Sequence, residues 1–188
     1  LNQGVRNAND AISMIQTADG ALQVIDEKLI RMKELATQAA TGTYTSDQRL
    51  IIDSEYQAMA SEITRIANAT DFNGIYLLNG NLSSQYTNAA DWGLDHDGSG
   101  LEPTGSLKIH FGTGNDSAED YYYIAIGDAT ASALGVGSSN GGGAGHDIST
   151  QQNAQEALDA LNQAITSKDN IRASLGALQN RLENTITN

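Results

Sequence analysis

Residues 1–42 read LNQGVRNAND AISMIQTADG ALQVIDEKLI RMKELATQAA TG, and this stretch decides the fold. Leu1, Ala8, Ile15, Leu22, Leu29 and Ala36 stand seven apart, and all are apolar. A second column begins at Val5 and Ile12, slips by one residue and continues through Ala18, Ile25, Met32 and Ala39. Two apolar columns at heptad spacing make one narrow stripe on an α-helix that packs along partner helices. The pattern predicts a helix over residues 1–42, stopped at Gly42, and about 60 Å long at about 1.5 Å per residue. With apolar character confined to one stripe, such a helix holds only against neighbours that bury it.

The neighbours follow in the sequence. Thr45 with Gln48 three residues on has the form of a capping box. It opens a helix over 45–68 in which Ile52, Tyr56, Met59, Ile63 and Ile66 alternate four and three apart. A third helix, over 149–188, opens near Ser149 with Gln152 three residues on and carries Leu158, Leu161, Ile165, Leu175, Leu178, Leu182 and Ile186. Between these helices the composition changes to Gly, Ser, Asn and Asp. Phe72-Asn73-Gly74 and Asn79-Gly80 mark turns. Leu107, Ile109 and Phe111 alternate with Lys108 and His110, and Tyr122, Ile124 and Ile126 alternate with Tyr123 and Ala125. This is the period of two half-buried strands, joined through Gly112 to Asp120 into a β-hairpin over about 106–127. Residues 83–105, with Asp91-Trp92-Gly93, form a turn-rich small insert, and Ser138 to Gly145 has the composition of a flexible linker. The fold class is therefore mainly α with a small β region: an elongated bundle of three long helices plus a β-hairpin and an irregular insert.

Charge and composition exclude several functions. The 188 residues hold 23 acidic and 10 basic side chains, a net charge of −13, and no run of Lys or Arg. Binding to nucleic acid or to an anionic membrane is disfavoured by that balance. With no cysteine, disulfides, thiolate metal sites and cysteine nucleophiles are excluded. No apolar run approaches the roughly 20 residues that cross a bilayer, and the first ten residues lack the basic and apolar regions of a cleaved signal. Leu1 already sits in helical register, and Leu182 and Ile186 are still in register near the other end. The expectation is a piece excised from a longer protein, any export of which uses another route or a segment outside this piece.

No catalytic, cofactor or metal site is predicted. His96, His110 and His146 belong to no HExxH, GxSxG or His-rich pattern, and Gly141 to Gly145 follows no strand as a phosphate loop would. Asp95, Asp97, Ser99 and Gly100 resemble the opening of a calcium loop, but its twelfth position is Ser106 instead of Glu. The sequons at Asn68, Asn81 and Asn115 are patterns that Asn- and Ser-rich chains produce by chance. One helical face is more informative. Lys28, Arg31, Leu35 and Gln38 project along one side of the first helix, away from the apolar columns, with Glu27 placed to pair with Arg31 one turn on. Leu35 is thus expected as an off-seam apolar residue beside two cations.

The run Arg6-Asn-Ala-Asn-Asp-Ala-Ile-Ser-Met-Ile-Gln-Thr-Ala-Asp-Gly-Ala-Leu22 resembles the long helix of bacterial flagellins, and Arg31-Met-Lys-Glu-Leu-Ala-Thr-Gln38 is similar to its continuation. Phe72-Asn-Gly74, Leu107-Lys-Ile-His-Phe-Gly112 with its Gly-Thr-Gly-Asn-Asp loop, Leu175-Gly-Ala-Leu-Gln-Asn-Arg181 and Thr185-Ile-Thr-Asn188 resemble further flagellin segments in the same order. The resemblance spans residues 1–80 and 106–188. It implies a rod domain, lacking the outer terminal helices, of a non-enzymatic filament subunit. Such a subunit is exported to the cell exterior with a flagellar chaperone and cap and polymerised with other flagellin subunits. The piece alone is expected to be monomeric. The resemblance also implies recognition by a host Toll-like receptor at Arg31, Leu35 and Glu55, with Lys33 and Gln38 as lesser matching positions. Met59 departs from the arginine typical there. A hook-filament junction protein shares flagellin-like ends and is the alternative, whereas a catalytic flagellin variant would need an HExxH that is absent.

Three long, narrowly striped helices predict an extended particle. X-ray scattering should give a radius of gyration well above the roughly 16 Å of a compact chain of this length, and a value near 16 Å would refute the rod.

Overall fold

The computed structural model describes residues 2–83, 107–110 and 121–187. The predicted insert beyond Ser83, the Gly112 to Asp120 loop, the calcium-like Asp95 to Gly100 turn, Ser106, His96 and the Asn115 sequon lie outside the described residues. Helix α1 spans Asn2–Ala40, α2 Ser46–Ala69 and α4 Gln151–Thr187, with a short α3 at Ala131–Leu134. Strands β1 (Asp71–Phe72) and β2 (Ile75–Tyr76) make one antiparallel pair, and β3 (Leu107–His110) and β4 (Tyr121–Ile124) another. The chain divides into two compact units, one of Leu1–Gly20, Thr70–Asp128 and Ile171–Asn188, the other of Ala21–Ala69 and Ala129–Asn170.

The first apolar column of α1 is buried from Ala8 through Ile15, Leu22 and Leu29 to Ala36. Its companion does not slip. Val5 is 40% exposed and Ile12 half-buried, while Gly4 and Ala11 are buried. The second column is therefore Gly4, Ala11, Ala18, Ile25, Met32 and Ala39, an unbroken heptad whose first members were hidden by their small size. Small side chains let a partner approach closely, and position on the helix, more than side-chain bulk, decides what is buried. Helix α4 carries the matching seam, with Ala154, Leu161, Lys168, Leu175 and Leu182 buried seven apart. In α2 the buried set is Ile52, Tyr56, Ala60, Ile63 and Ala67, with Met59 and Ile66 only half-buried.

In the first unit, α1 and α4 run antiparallel, and Arg172 Nε donates to Asp19 Oδ1 at 2.8 Å. Asn73 and Gly74 both adopt positive φ, 52° and 84°, and close a two-residue β1–β2 hairpin where the sequence indicated only a turn. Leu77, Leu78 and Leu82 then fold inward, and Ile126 N–H donates to Leu82 C=O at 2.9 Å. The strand alternation is present in β4: Ile124 is buried and Tyr123 is 41% exposed.

In the second unit α2 turns back along α1. Its start has the predicted reciprocal cap, Gln48 N–H to Thr45 Oγ1 at 3.2 Å and Thr45 N–H to Gln48 Oε1 at 2.8 Å. The end of α1 differs from expectation, because Gly42 has no left-handed conformation. Instead Arg49 of α2 donates to the carbonyls of Ala39 (2.8 Å) and Thr41 (2.7 Å), and Gln151 of α4 donates to that of Ala40 (3.0 Å). Neighbouring side chains satisfy the orphan acceptors that a C-terminal glycine turn would otherwise take up. At the start of α4 the cap is Thr150, whose hydroxyl accepts from Asn153 N–H at 3.0 Å, so the helix begins later than the predicted 149. Ser149 is engaged by Asp147. Burial works against that carboxylate, but hydrogen bonds from Asn153 and Ser149 outweigh it and hold it below the ordinary range.

The segment expected as a linker is built into the fold. Asp53, Tyr56, Gln57, Ala60 and Thr64 line one face of α2, and residues 131–148 lie on it. Tyr56 Oη donates to Gly145 C=O at 2.5 Å, and Gln57 bridges His146 C=O (2.9 Å) and Ser138 N–H (2.8 Å). Asp53 accepts from Ile148 N–H at 2.9 Å, and Thr64 Oγ1 from Ala131 N–H at 3.1 Å. Burial pushes the Tyr56 phenol well above its usual range. The glycines serve close packing: a Cβ on Gly137 would lie 2.5 Å from Ala60 Cβ, and one on Gly145, at φ 84°, 2.6 Å from Gly135 C=O. Substituting Gly145→Ala combines a backbone clash with a strained conformation, so we expect a loss of about 2 kcal/mol or more in chemical denaturation. An unchanged denaturation midpoint would contradict this account of the glycine run.

Candidate recognition face

The residues singled out for recognition all lie in the unit formed by Ala21–Ala69 and Ala129–Asn170. Because α2 runs antiparallel to α1, Glu55 falls beside Arg31. The guanidinium makes a two-pronged contact, Nε to Oε1 at 2.9 Å and Nη2 to Oε2 at 3.1 Å, and Nη1 reaches Glu34 at 3.1 Å. Glu34 and Glu55 thus occupy the fork, in place of the Glu27 pairing expected one turn back. Hydrogen bonds from Glu55 first and Glu34 second hold the Arg31 charge still more firmly than usual. The side chains of Arg31 and Glu55 are 43% and 45% exposed, so water screens the pair and its main effect is to fix where Arg31 points.

Leu35 corrects the sequence reading. It is 1% exposed, a member of the core and not an apolar knob on the surface. Within this unit α1 has two helical neighbours, α2 and α4, and a helix gripped from two sides buries more than a two-column seam. The heptad before it gave no sequence signal of this, since the equivalent position holds the charged Lys28, which is itself half-buried.

Lys33 is exposed, but at two residues' separation it projects from nearly the opposite side of α1 to Arg31. Gln38 is exposed on the Arg31 side, and its amide donates to Tyr44 Oη at 3.1 Å. Met59 is half-buried. The structure therefore brings Arg31, Glu55 and Gln38 to one face, adds Glu34, places Leu35 beneath and sets Lys33 apart.

Among the described residues no group of three or more His, Cys, Asp or Glu side chains could hold a metal ion, and no helix is long and apolar enough to cross a membrane. In the other unit a cleft of about 290 Å³ opens between Met14 of α1, Phe72 and Ile75 of the first hairpin and Leu107 of β3.

The family described as the bacterial flagellin N-terminal helical region matches residues 1–83. The flagellar filament core protein flaB2 of Brachyspira hyodysenteriae is 35% identical over 98% of the chain and 59% of its own length. The chain is similar to flagellins along nearly its whole length and carries their N-terminal helical region over residues 1–83. Flagellin FlaB2 of Treponema pallidum is also 35% identical, over 99% of the chain and 59% of the relative. The chain thus spans about three fifths of the length of these curated relatives. A crystal structure of Bacillus cereus flagellin superposes with a TM-score of 0.69 at 28% identity, covering 97% of this chain and 88% of that one. FliC from Burkholderia pseudomallei shares the fold, at TM-score 0.57 and 19% identity, covering 91% of this chain and 99% of that one. The mainly α fold class and the flagellin resemblance read from the ordered motifs both stand.

The burial difference on this face has a direct consequence for stability. Leu35→Ala should cost about 2–5 kcal/mol, as buried leucine truncations do, and lower the melting temperature by several degrees. Arg31→Ala and Glu55→Ala, on exposed side chains, should leave it essentially unchanged. Calorimetry on the three variants would refute this assignment if Leu35→Ala melted with the parent protein.

Proposed function

We infer that the chain is the core of a structural, non-catalytic subunit of the bacterial flagellar filament. The observation that carries this is the match to flagellar filament core proteins over nearly the whole chain, and the unbroken heptad seams are its physical counterpart. Long helices packed along heptad seams keep exposed outer faces, such as that of Gln23, Glu27, Ile30 and Glu34, on which neighbouring subunits can pack. The intact protein is exported through the flagellar apparatus to the cell exterior, with its chaperone and cap, and polymerises with other flagellin subunits.

The face holding Arg31, Glu55 and Gln38 is the part of this subunit that a host Toll-like receptor would bind. Arg31 supports that reading because its fork is already positioned by Glu55 and Glu34, which reduces the ordering cost of a contact. Leu35 contributes from below by supporting the helix, and Lys33, on another side, serves at most a separate contact.

Antibody against the intact protein should decorate filaments along their length in electron microscopy, and label confined to the hook boundary would favour a junction protein. Arg31→Ala should weaken receptor binding about tenfold or more with the melting temperature unchanged. Unaltered affinity would remove this face from the interface without touching the filament reading.

A further inference from the structure

We propose that Lys168 selects the register of α4 against α1. It is the one charged member of the buried α4 column Ala154, Leu161, Lys168, Leu175 and Leu182, and it is 3% exposed. Its ammonium crosses to Asp26 of α1 at 2.6 Å and also contacts Asp169 of its own helix. Asp26 retains 27% side-chain exposure, so the charge pair lies at the rim of the seam with the lysine stem inside.

The reason for a charge there lies in the seam itself. Both helices repeat every seven residues, and many of the seam positions are alanine: Ala36 and Ala39 on this part of α1, Ala154, Ala157 and Ala164 on α4. Displacing one helix by a heptad still sets apolar positions against apolar positions, because Leu22, Leu29 and Ala36, and Ile25, Met32 and Ala39, repeat at that spacing, so burial alone distinguishes the registers weakly. A single polar group at a seam position does distinguish them. Positions 19, 26 and 33 of α1 are equivalent by heptad and hold Asp, Asp and Lys. A displacement in one direction carries Lys168 to Lys33, leaving a buried ammonium facing a like charge. The other carries it toward Asp19, whose carboxylate already accepts Arg172, and withdraws Gln151 from the Ala40 carbonyl. A buried ion pair of this kind adds little net stability over an apolar side chain of similar volume, so selection of one arrangement, not strength, is its contribution.

The chain has no cysteine, so spin labels at Glu27→Cys and Gln155→Cys, both exposed positions, report the axial offset of α1 and α4 without background. The parent chain should give one narrow distance in double electron-electron resonance. Lys168→Met should melt at the same temperature or higher, yet show a second distance population offset by a heptad, about 10 Å along the axis. Lys168→Arg should restore the single distance. A single narrow distance in Lys168→Met would overturn the proposal. So would failure of Lys168→Met to fold while Lys168→Arg folds, because the lysine would then be supplying stability.

Discussion

Everything else in this chain rests on the close approach that alanine and glycine permit along the helix seams. Gly4, Ala8, Ala11, Ala18, Ala36 and Ala39 of α1 are buried together with its larger members, as are Ala154, Ala157 and Ala164 of α4. Small residues bury little apolar area each, so a seam of this kind gains its stability from length, repeated over many turns, and from dispersion contacts made at short range. That constraint explains why the helices are long. It also explains why the polar contacts collect at the seam edges, as with Arg172 and Asp19 in one unit and Lys168 and Asp26 in the other. A narrow seam has its rim everywhere within reach of a long cationic side chain.

The helices were legible in the sequence because their period is strong and sustained. Residues 1–42, 45–68 and 149–188 were expected, and Asn2–Ala40, Ser46–Ala69 and Gln151–Thr187 are observed. Size is a poor guide to burial on these helices: Gly4 is buried and Val5 exposed, and Ala60 and Ala67 are buried where Met59 and Ile66 are only half-buried. The recognition face was half legible: Arg31 and Glu55 do meet, but a helix wheel of α1 alone could not show that a second neighbour would cover Leu35. Residues 138–145 have a linker's composition yet pack on α2, because composition reports conformational freedom in the unfolded chain. It does not report whether the fold uses that freedom, and here Gly137 and Gly145 use it to let backbone lie directly on α2 and α4.

The surplus of acidic residues bears on the same geometry. With a net charge of −13, cations are scarce, and three of those in the described structure are committed within the fold: Arg31 to Glu55 and Glu34, Arg49 to carbonyls, Lys168 to Asp26. The distribution is economical in the sense that each of these cations fixes one helix against another or closes a helix end. Any partner that approaches Arg31 must share it with two carboxylates already in place, which sets a demand on that partner for shape as well as charge.

The end of α1 carries one more consequence. Its last carbonyls are satisfied by Arg49, which follows shortly after, and by Gln151, which lies 111 residues beyond Ala40. The boundary of the first helix is therefore written partly at the start of the last one. Arg49 can take the carbonyls of Ala39 and Thr41 as soon as α2 forms, but the Ala40 carbonyl has its Gln151 partner only when α4 arrives. Completion of that terminus is a closure over most of the chain, the kind of contact that forms late and makes two distant segments fold as one event.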